Sequence, residues 1–326
     1  MKTLIAIPAR YGSTRFPGKP LAKIAGKEML LRVWENAQKT AAKFEDCHAV
    51  VATDDERIAD FCKSKNIACV MTSPDCPTGT DRVVEAAESF ADKPEFVVNL
   101  QGDNPICPPW FVEAVIAEYY NNNAVETVTP VVNLSWEQLD KLRENKRATP
   151  FSGTTAVFDK NGDAFYFSKN IIPAIRKEEK VRAAMPMSPV CRQVGLYGYR
   201  MDILRKIAKL PEGIYEKLEG LEQLRWIENG IKVRCVKVDY RNFEWKRFWL
   251  RRESFNDNEN YHCQTRQHFC KRRNAAARRR TDGFGFGRGR ARPERGALSE
   301  SQRPDSGVGF CRFSETDRQY GQTGDR

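Results

Sequence analysis

Between Arg10 and Lys19 the chain reads Arg-Tyr-Gly-Ser-Thr-Arg-Phe-Pro-Gly-Lys, directly after Pro8-Ala9 and the apolar run Thr3 to Ile7. Gly12 and Gly18 allow backbone to approach phosphate oxygens, and Ser13 and Thr14 add hydroxyl and N–H donors. Arg10, Arg15 and Lys19 supply positive charge suited to a triphosphate. The spacing is neither that of a Walker loop nor that of a dinucleotide fingerprint. An exposed basic loop is the plainer reading, but three cations and two glycines after a buried strand favour phosphate binding.

Three further segments carry candidate chemistry. Ala52-Thr53-Asp54-Asp55 follows a second apolar run, and Thr78-Gly79-Thr80-Asp81-Arg82 opens a helical pattern. Thr80 and Asp81 also serve as plain helix-capping residues. After a further apolar run comes Gln101-Gly102-Asp103-Asn104-Pro105. A carboxylate at the end of a parallel strand is placed to hold Mg²⁺ against phosphates, which makes Asp103 the candidate metal ligand; a solvated turn Asp is the alternative.

The elements that position these segments alternate. Strands are expected at 3–7, 49–52, 68–71, 95–100, 127–132, 154–158, 164–167, 193–199 and 232–238, with helices at 28–44, 55–65, 81–90, 108–120 and 218–228. Four β-α alternations in the first half predict an α/β fold with a doubly wound, mostly parallel sheet of Rossmann-like type, whose ligands gather beyond the carboxyl ends of its strands. The chain of 326 residues is 40% hydrophobic and contains no apolar run long enough to span a bilayer, so a cytoplasmic protein without membrane association is expected. Its ten Cys show no pairing pattern and read as reduced thiols.

The net charge of +11 is uneven. Residues 1–240 hold 34 Lys and Arg against 32 Asp and Glu, whereas 241–326 hold 20 against 11. The tail uses 18 Arg and 2 Lys, and after Leu250 it has one Leu (Leu298), one Val (Val308) and no Ile. Such a composition cannot offset its ordering entropy, so the expected organisation is a single domain over 1–241 and a disordered tail over 242–326. The abrupt switch also suggests translation out of frame, which the coding DNA around codon 242 would test. His262, Cys263, His268 and Cys270 match no common zinc spacing, and the Arg/Gly run 283–290 is a weak sign of RNA binding. A basic nucleic-acid-binding protein is therefore the lesser alternative to an enzyme.

Pro8 to Leu21, Val-Ala-Thr-Asp-Asp at 51–55, Thr-Gly-Thr-Asp-Arg at 78–82, Asn-Leu-Gln-Gly-Asp-Asn-Pro at 99–105, Phe-Tyr-Phe-Ser-Lys at 165–169, Gly-Leu-Tyr-Gly-Tyr-Arg at 195–200 and Leu-Glu-Gln-Leu-Arg at 221–225 occur in that order. Together they closely resemble the 3-deoxy-manno-octulosonate (Kdo) cytidylyltransferase family, over residues 1 to about 240. The resemblance implies a nucleotide-diphospho-sugar transferase-like fold, a homodimer, and transfer of CMP from CTP to the anomeric hydroxyl of Kdo for lipopolysaccharide synthesis. It implies catalytic roles for Arg10, Lys19 and Asp103, and a CTP site of Arg10, Ser13, Arg15, Lys19, Thr78, Gly79, Thr80 and Gln101. Gln101, Lys169, Arg176, Gln193, Tyr197, Glu222 and Gln223 would form the sugar-acid site, and Asp103 would bind Mg²⁺.

Three departures qualify this reading. Lys169 stands where the family usually has Arg, and Gln193 where it usually has His; a Lys offers a point charge where an Arg fork grips a carboxylate at two points. An acceptor such as an amino-substituted Kdo is thus an alternative. The family's Gly-Val-Asp-[Ser/Thr]-Pro-Glu-Asp segment, expected to carry a second Mg²⁺ ligand, is absent, and Asp239 lies upstream of its place. Tyr197 and Tyr199 also read as alternating packing on a strand, and Glu222 and Gln223 as a solvated helix face.

Overall fold

The structure is a computed structural model of the chain that describes residues 1–12 and 17–240. The expected phosphate ligands Ser13 and Arg15, and the tail from 242, lie outside the described residues. In order, the elements are β1 (Thr3–Pro8), the short hairpin β2 (Lys23–Ile24) and β3 (Lys27–Glu28), α1 (Met29–Ala41), β4 (Cys47–Thr53), α2 (Glu56–Ser64), β5 (Cys69–Met71), α3 (Gly79–Glu88) and β6 (Phe96–Asn99). Next come α4 (Pro109–Asn121), β7 (Thr127–Asn133), α5 (Trp136–Ala148), β8 (Thr154–Phe158), β9 (Ala164–Ser168) and α6 (Glu178–Ala184). β10 (Cys191–Gln193), β11 (Tyr197–Arg200), α7 (Met201–Ala208), α8 (Ile214–Glu219), α9 (Glu222–Glu228) and β12 (Val233–Val238) complete the series.

Side chains alternate across β1, and that alternation builds the layers. Ile5 and Ile7 join one core cluster with Leu30 and Val33 of α1, Ile58 of α2 and Phe111 of α4. Leu4 and Ala6 face the other way, into a cluster with Val83 and Ala87 of α3, Leu204 of α7 and Trp226 of α9. Each buried Leu or Ile contributes about 1.5–3 kcal/mol of burial, which is why β1 reads as an unbroken apolar run rather than an alternating one. The sheet is therefore doubly wound. Its strand order is β5-β4-β1-β6-β11-β7-β10-β8-β9, with β12 on the remaining edge of β7.

The β5-β4-β1-β6 half and the β7–β12 pair are parallel, as the β-α alternation requires. The strands β8 to β11 add antiparallel pairings to this sheet. The expected strand 193–199 is broken: residues 194–196 jog between β10, which pairs β7 and β8, and β11, which pairs β6 and β7. Thr129 Oγ1 holds the jog by donating to the Leu196 carbonyl at 2.9 Å. The expected helix 218–228 is broken too, because Gly220 adopts φ 62° and ends α8 before α9 starts. α5, α6 and α7 were not expected. Among the described residues no helix is long and apolar enough to cross a membrane.

Candidate active site

Three chain segments meet beyond the carboxyl ends of β1 and β6. Gly102 fits against β1 because it lacks a side chain: a Cβ there would lie 2.7 Å from the Pro8 carbonyl oxygen. Gly79, the first residue of α3, also faces this point, with Pro8 Cγ 3.7 Å and Gln101 Oε1 3.8 Å from where its Cβ would be. Lys19 closes the group, its Nζ 2.7 Å from Asp103 Oδ2. Arg10 is exposed and makes no hydrogen bond or ion pair with any described residue. Lys19, Gly79, Gln101 and Asp103 are thus brought together by two parallel strand ends and a helix start, where α/β sheets hold their ligands, and Arg10 follows the end of β1 by two residues.

The threonines of this turn are engaged within the protein. Thr78 Oγ1 accepts the Asp81 N–H at 3.2 Å and Asp81 returns the bond to the Thr78 N–H at 3.0 Å, a capping box. Thr80 is buried and donates to Glu222 Oε2 at 2.9 Å. The capping role considered for Asp81 is therefore real, and both threonine hydroxyls have partners within the protein. Asp54 lies behind it, paired with the buried Arg82 at 3.1 Å.

The Thr80–Glu222 bond ties this turn to a second wall. Glu222, the first residue of α9, also accepts from Arg225 Nη2 at 2.9 Å. Burial holds its carboxyl above the usual range, against the opposing pull of Thr80 and Arg225. Gln223 beside it is buried with Nε2 lacking a hydrogen-bond partner. Tyr197 stands opposite Asn99 in the β11–β6 pairing, so both share one sheet face. Burial pushes its phenol well up, and Gln193 is its side-chain neighbour. Gln193 gives its Nε2 to Thr129 Oγ1 at 3.0 Å and to the Val194 carbonyl at 2.8 Å.

Lys169 is fixed by its backbone. Its N–H donates to Glu219 Oε2 at 2.6 Å, and its carbonyl accepts from Lys146 Nζ, which also bonds the carbonyls of Pro150, Ser152 and Gly153. Its Nζ reaches Thr154 Oγ1 at 3.3 Å, and Thr154 is the cross-strand partner of Gln193. Burial lowers the Lys169 ammonium below the ordinary lysine value, with Glu219 opposing. Arg176 is exposed before α6, with no hydrogen bond or ion pair to any described residue.

Sequence reading missed Asn99 and Tyr199. Asn99 accepts from Gln101 Nε2 at 3.0 Å, while its own buried Nδ2 has no hydrogen-bond partner. Tyr199 is fully buried with its hydroxyl likewise unpartnered, among the polar neighbours Thr80, Asn99 and Glu222. Trp226, also fully buried, has an unpartnered Nε1 and stacks edge-on against both tyrosines at 5.0 and 5.4 Å. The available signal was adjacency: Asn99 precedes Gln101 in a motif, and Tyr199 shares the face of Tyr197.

Among the described residues no three Asp, Glu, His or Cys side chains converge as a metal cage. Asp103 presents one half-exposed, hard carboxylate beside the cations. That donor suits Mg²⁺, which is commonly held by one or two carboxylates together with substrate phosphates and water. Asp239, at the end of β12, has its backbone carbonyl taken by Trp110 Nε1 at 2.9 Å.

Comparison with known proteins shows the family. A family model described as cytidylyltransferase matches residues 4–234. A 3-deoxy-manno-octulosonate cytidylyltransferase from Maricaulis maris (strain MCS10) is 44% identical over 241 residues, covering 74% of this chain and 90% of that protein. One of the same description from Myxococcus xanthus (strain DK1622) is 41% identical over 239 residues, covering 73% and 88%. Among solved structures, a CMP:2-keto-3-deoxy-manno-octonic acid synthetase complexed with CTP matches with a TM-score of 0.63 and 36% identity, covering 73% of this chain and 90% of that one.

Proposed function

Because this chain belongs to the cytidylyltransferase family, we propose that it activates 3-deoxy-manno-octulosonate with CTP, giving CMP-Kdo and pyrophosphate for lipopolysaccharide synthesis. The observation that carries the reading is the meeting of Lys19, Gly79, Gln101 and Asp103 where β1 and β6 end, with Arg10 two residues past the end of β1. Attack of the anomeric hydroxyl on the α-phosphorus, in line with the departing pyrophosphate, asks the protein mainly for positioning and charge neutralisation. Arg10 and Lys19 supply fixed charge for the phosphate oxygens, with Ser13 and Arg15 as further ligands. The backbone at Gly79 and the Gln101 amide orient the nucleotide.

Mg²⁺ would be held by Asp103 with phosphate oxygens, and would neutralise charge on the triphosphate. On the other wall Glu222, Gln223 and Tyr197 receive the hydroxyls of the acid, and Lys169, Arg176 and Gln193 face its carboxylate. The reaction draws on CTP, and we assign it to the cytoplasm. We also assign the chain to a homodimer. The support is exposed apolar side chains, Ile214 and Leu218 one turn apart on α8, each 71% exposed, and Phe165 on β9, 65% exposed.

The test is pyrophosphate release from CTP by the full chain. Release is expected only with both Kdo and Mg²⁺ present, and release that ignores the sugar acid would refute the assignment. Offering an amino-substituted Kdo in competition fixes the acceptor.

A further inference from the structure

Arg57, the second residue of α2, has no part in the reaction described above, yet its guanidinium carbon lies 3.4 Å from the centre of the Tyr11 ring. Its Nε and Nη2 donate to Asp55 Oδ1 and Oδ2 at 2.9 and 2.7 Å, a two-point fork that fixes the guanidinium plane. Asp55 is itself fixed, since it caps α2 by accepting the Arg57 N–H at 3.0 Å. The cation on the ring is thus anchored to the frame of the fold.

The Tyr11 ring also lies against Gly18. A Cβ on Gly18 would stand 2.9 Å from Tyr11 Cζ, and the φ of 72° at Gly18 disfavours any other residue. The Gly18 N–H donates to the Tyr11 carbonyl at 2.9 Å. Tyr11 follows Arg10, and Gly18 precedes Lys19, so one aromatic ring governs where both cations leave the backbone. Lys19 then reaches Asp103.

We propose that Tyr11 is the seat of the phosphate-binding segment and that Arg57 is a positioning residue which holds this seat, presetting the separation of Arg10 and Lys19 before CTP arrives. Holding the two cations in their bound arrangement removes part of the ordering cost of binding. The inference rests on the reading of this segment as a CTP site.

The test is the CTP dissociation constant of the full chain, measured by calorimetry so that turnover is not needed. Arg57→Ala is expected to weaken CTP about two- to fivefold, the range of an exposed cation–π contact, and to leave KM for the sugar acid unchanged. In a Tyr11→Leu background the same change should add less than about 1.5-fold, whereas in Tyr11→Phe, which keeps the ring, it should keep its whole factor. Arg57→Lys keeps the charge but loses the fork, and should restore less than half of the loss.

An unchanged affinity in Arg57→Ala overturns the proposal. So does an equal loss in the parent and in the Tyr11→Leu background, or full restoration by Arg57→Lys, since either makes Arg57 a distant charge. The lysine comparison decides the matter even if Tyr11→Leu does not fold. Failure of the unmodified chain to bind CTP would instead remove the functional reading, and this inference with it.

Discussion

The two walls of the cleft are built on opposite terms. On the nucleotide side the groups that would meet a ligand are an exposed Arg10, a Lys19 that is 35% exposed, and the backbone of a helix start whose side chains already cap one another. On the acid side the polar groups are buried, and several lack partners: Asn99 Nδ2, Tyr199 Oη, Gln223 Nε2 and Trp226 Nε1. Solvated cations cost little to keep in the free protein and act through charge, whereas each unpartnered buried polar group costs about 1–3 kcal/mol. The nucleotide wall leaves only Asp54 Oδ1 buried without a hydrogen-bond partner among the described residues, whereas the acid wall stores more instability that a ligand or ordered water relieves.

The largest test of that contrast is Lys19→Ala. Removing a cation aimed at charge that develops in the transition state should lower kcat/KM by about two to three orders of magnitude, with little change in melting temperature. Pyrophosphate release and a thermal scan check both halves. A loss of stability matching the loss of rate would show the nucleotide wall to be as structural as its opposite.

Glu222→Gln probes the other wall, and its two effects should have opposite signs. Although 27% of the side chain is exposed, burial holds the folded carboxyl above its ordinary value, so the folded state binds this proton more tightly than the unfolded one. The stability it contributes is present below the unfolded value of about 4.5 and is lost as pH rises through the folded pKa. At pH 7 the charged form is held at a cost that the amide avoids. The variant should therefore melt about 2–4 °C higher near pH 7, while KM for the sugar acid rises about tenfold, the effect of one lost charge-assisted hydrogen bond. A lower melting temperature would break the account of the acid wall.

Tyr199→Phe is a milder version of the same argument. Removing only an unpartnered hydroxyl should leave the melting temperature unchanged or raise it by about 2 °C, because no hydrogen bond is lost. A clear fall would mean that the hydroxyl is already satisfied, by ordered water between Thr80 and Asn99.

The same contrast explains what could be read in the chain and what could not. The nucleotide wall is written contiguously: a buried strand, then its loop, then a helix start, each within a few residues. Local chemistry was enough to single out Arg10, Lys19, Gly79 and Asp103 as candidates. The acid wall is assembled from β6, β10, β11 and α9, and only sheet register places Tyr197 opposite Asn99. Breaks at 194–196 and at Gly220 were invisible because the apolar pattern runs through both. α5 was missed because it buries only Leu139 and Leu142 and is held instead by ion pairs. α7 did carry its signal, with Met201, Leu204 and Ile207 three apart, all buried.

That ion-paired corner gives the last test. Arg143 Nη1 and Nη2 clasp Glu178 at 2.8 and 2.7 Å, Arg182 reaches both Glu178 and Asp140, and Arg182 lies over the Trp136 ring at 4.5 Å. The clasp ties α6 to α5, which carries Lys146 and through it the backbone of Lys169. Arg143 and then Arg182 hold the Glu178 carboxyl down at about 2. A depressed carboxyl contributes stability that is present above its unfolded value of about 4.5 and is lost as pH falls through the folded one. Glu178→Gln should therefore melt no more than about 2–4 °C below the parent at pH 7, since solvent screens these partly exposed groups. The gap should close between pH 4.5 and about 2. Thermal scans of both proteins across that window check the sign. A gap that persists at pH 2 would make the clasp a matter of packing rather than charge, and would place this corner with the buried acid wall instead of with the solvated one.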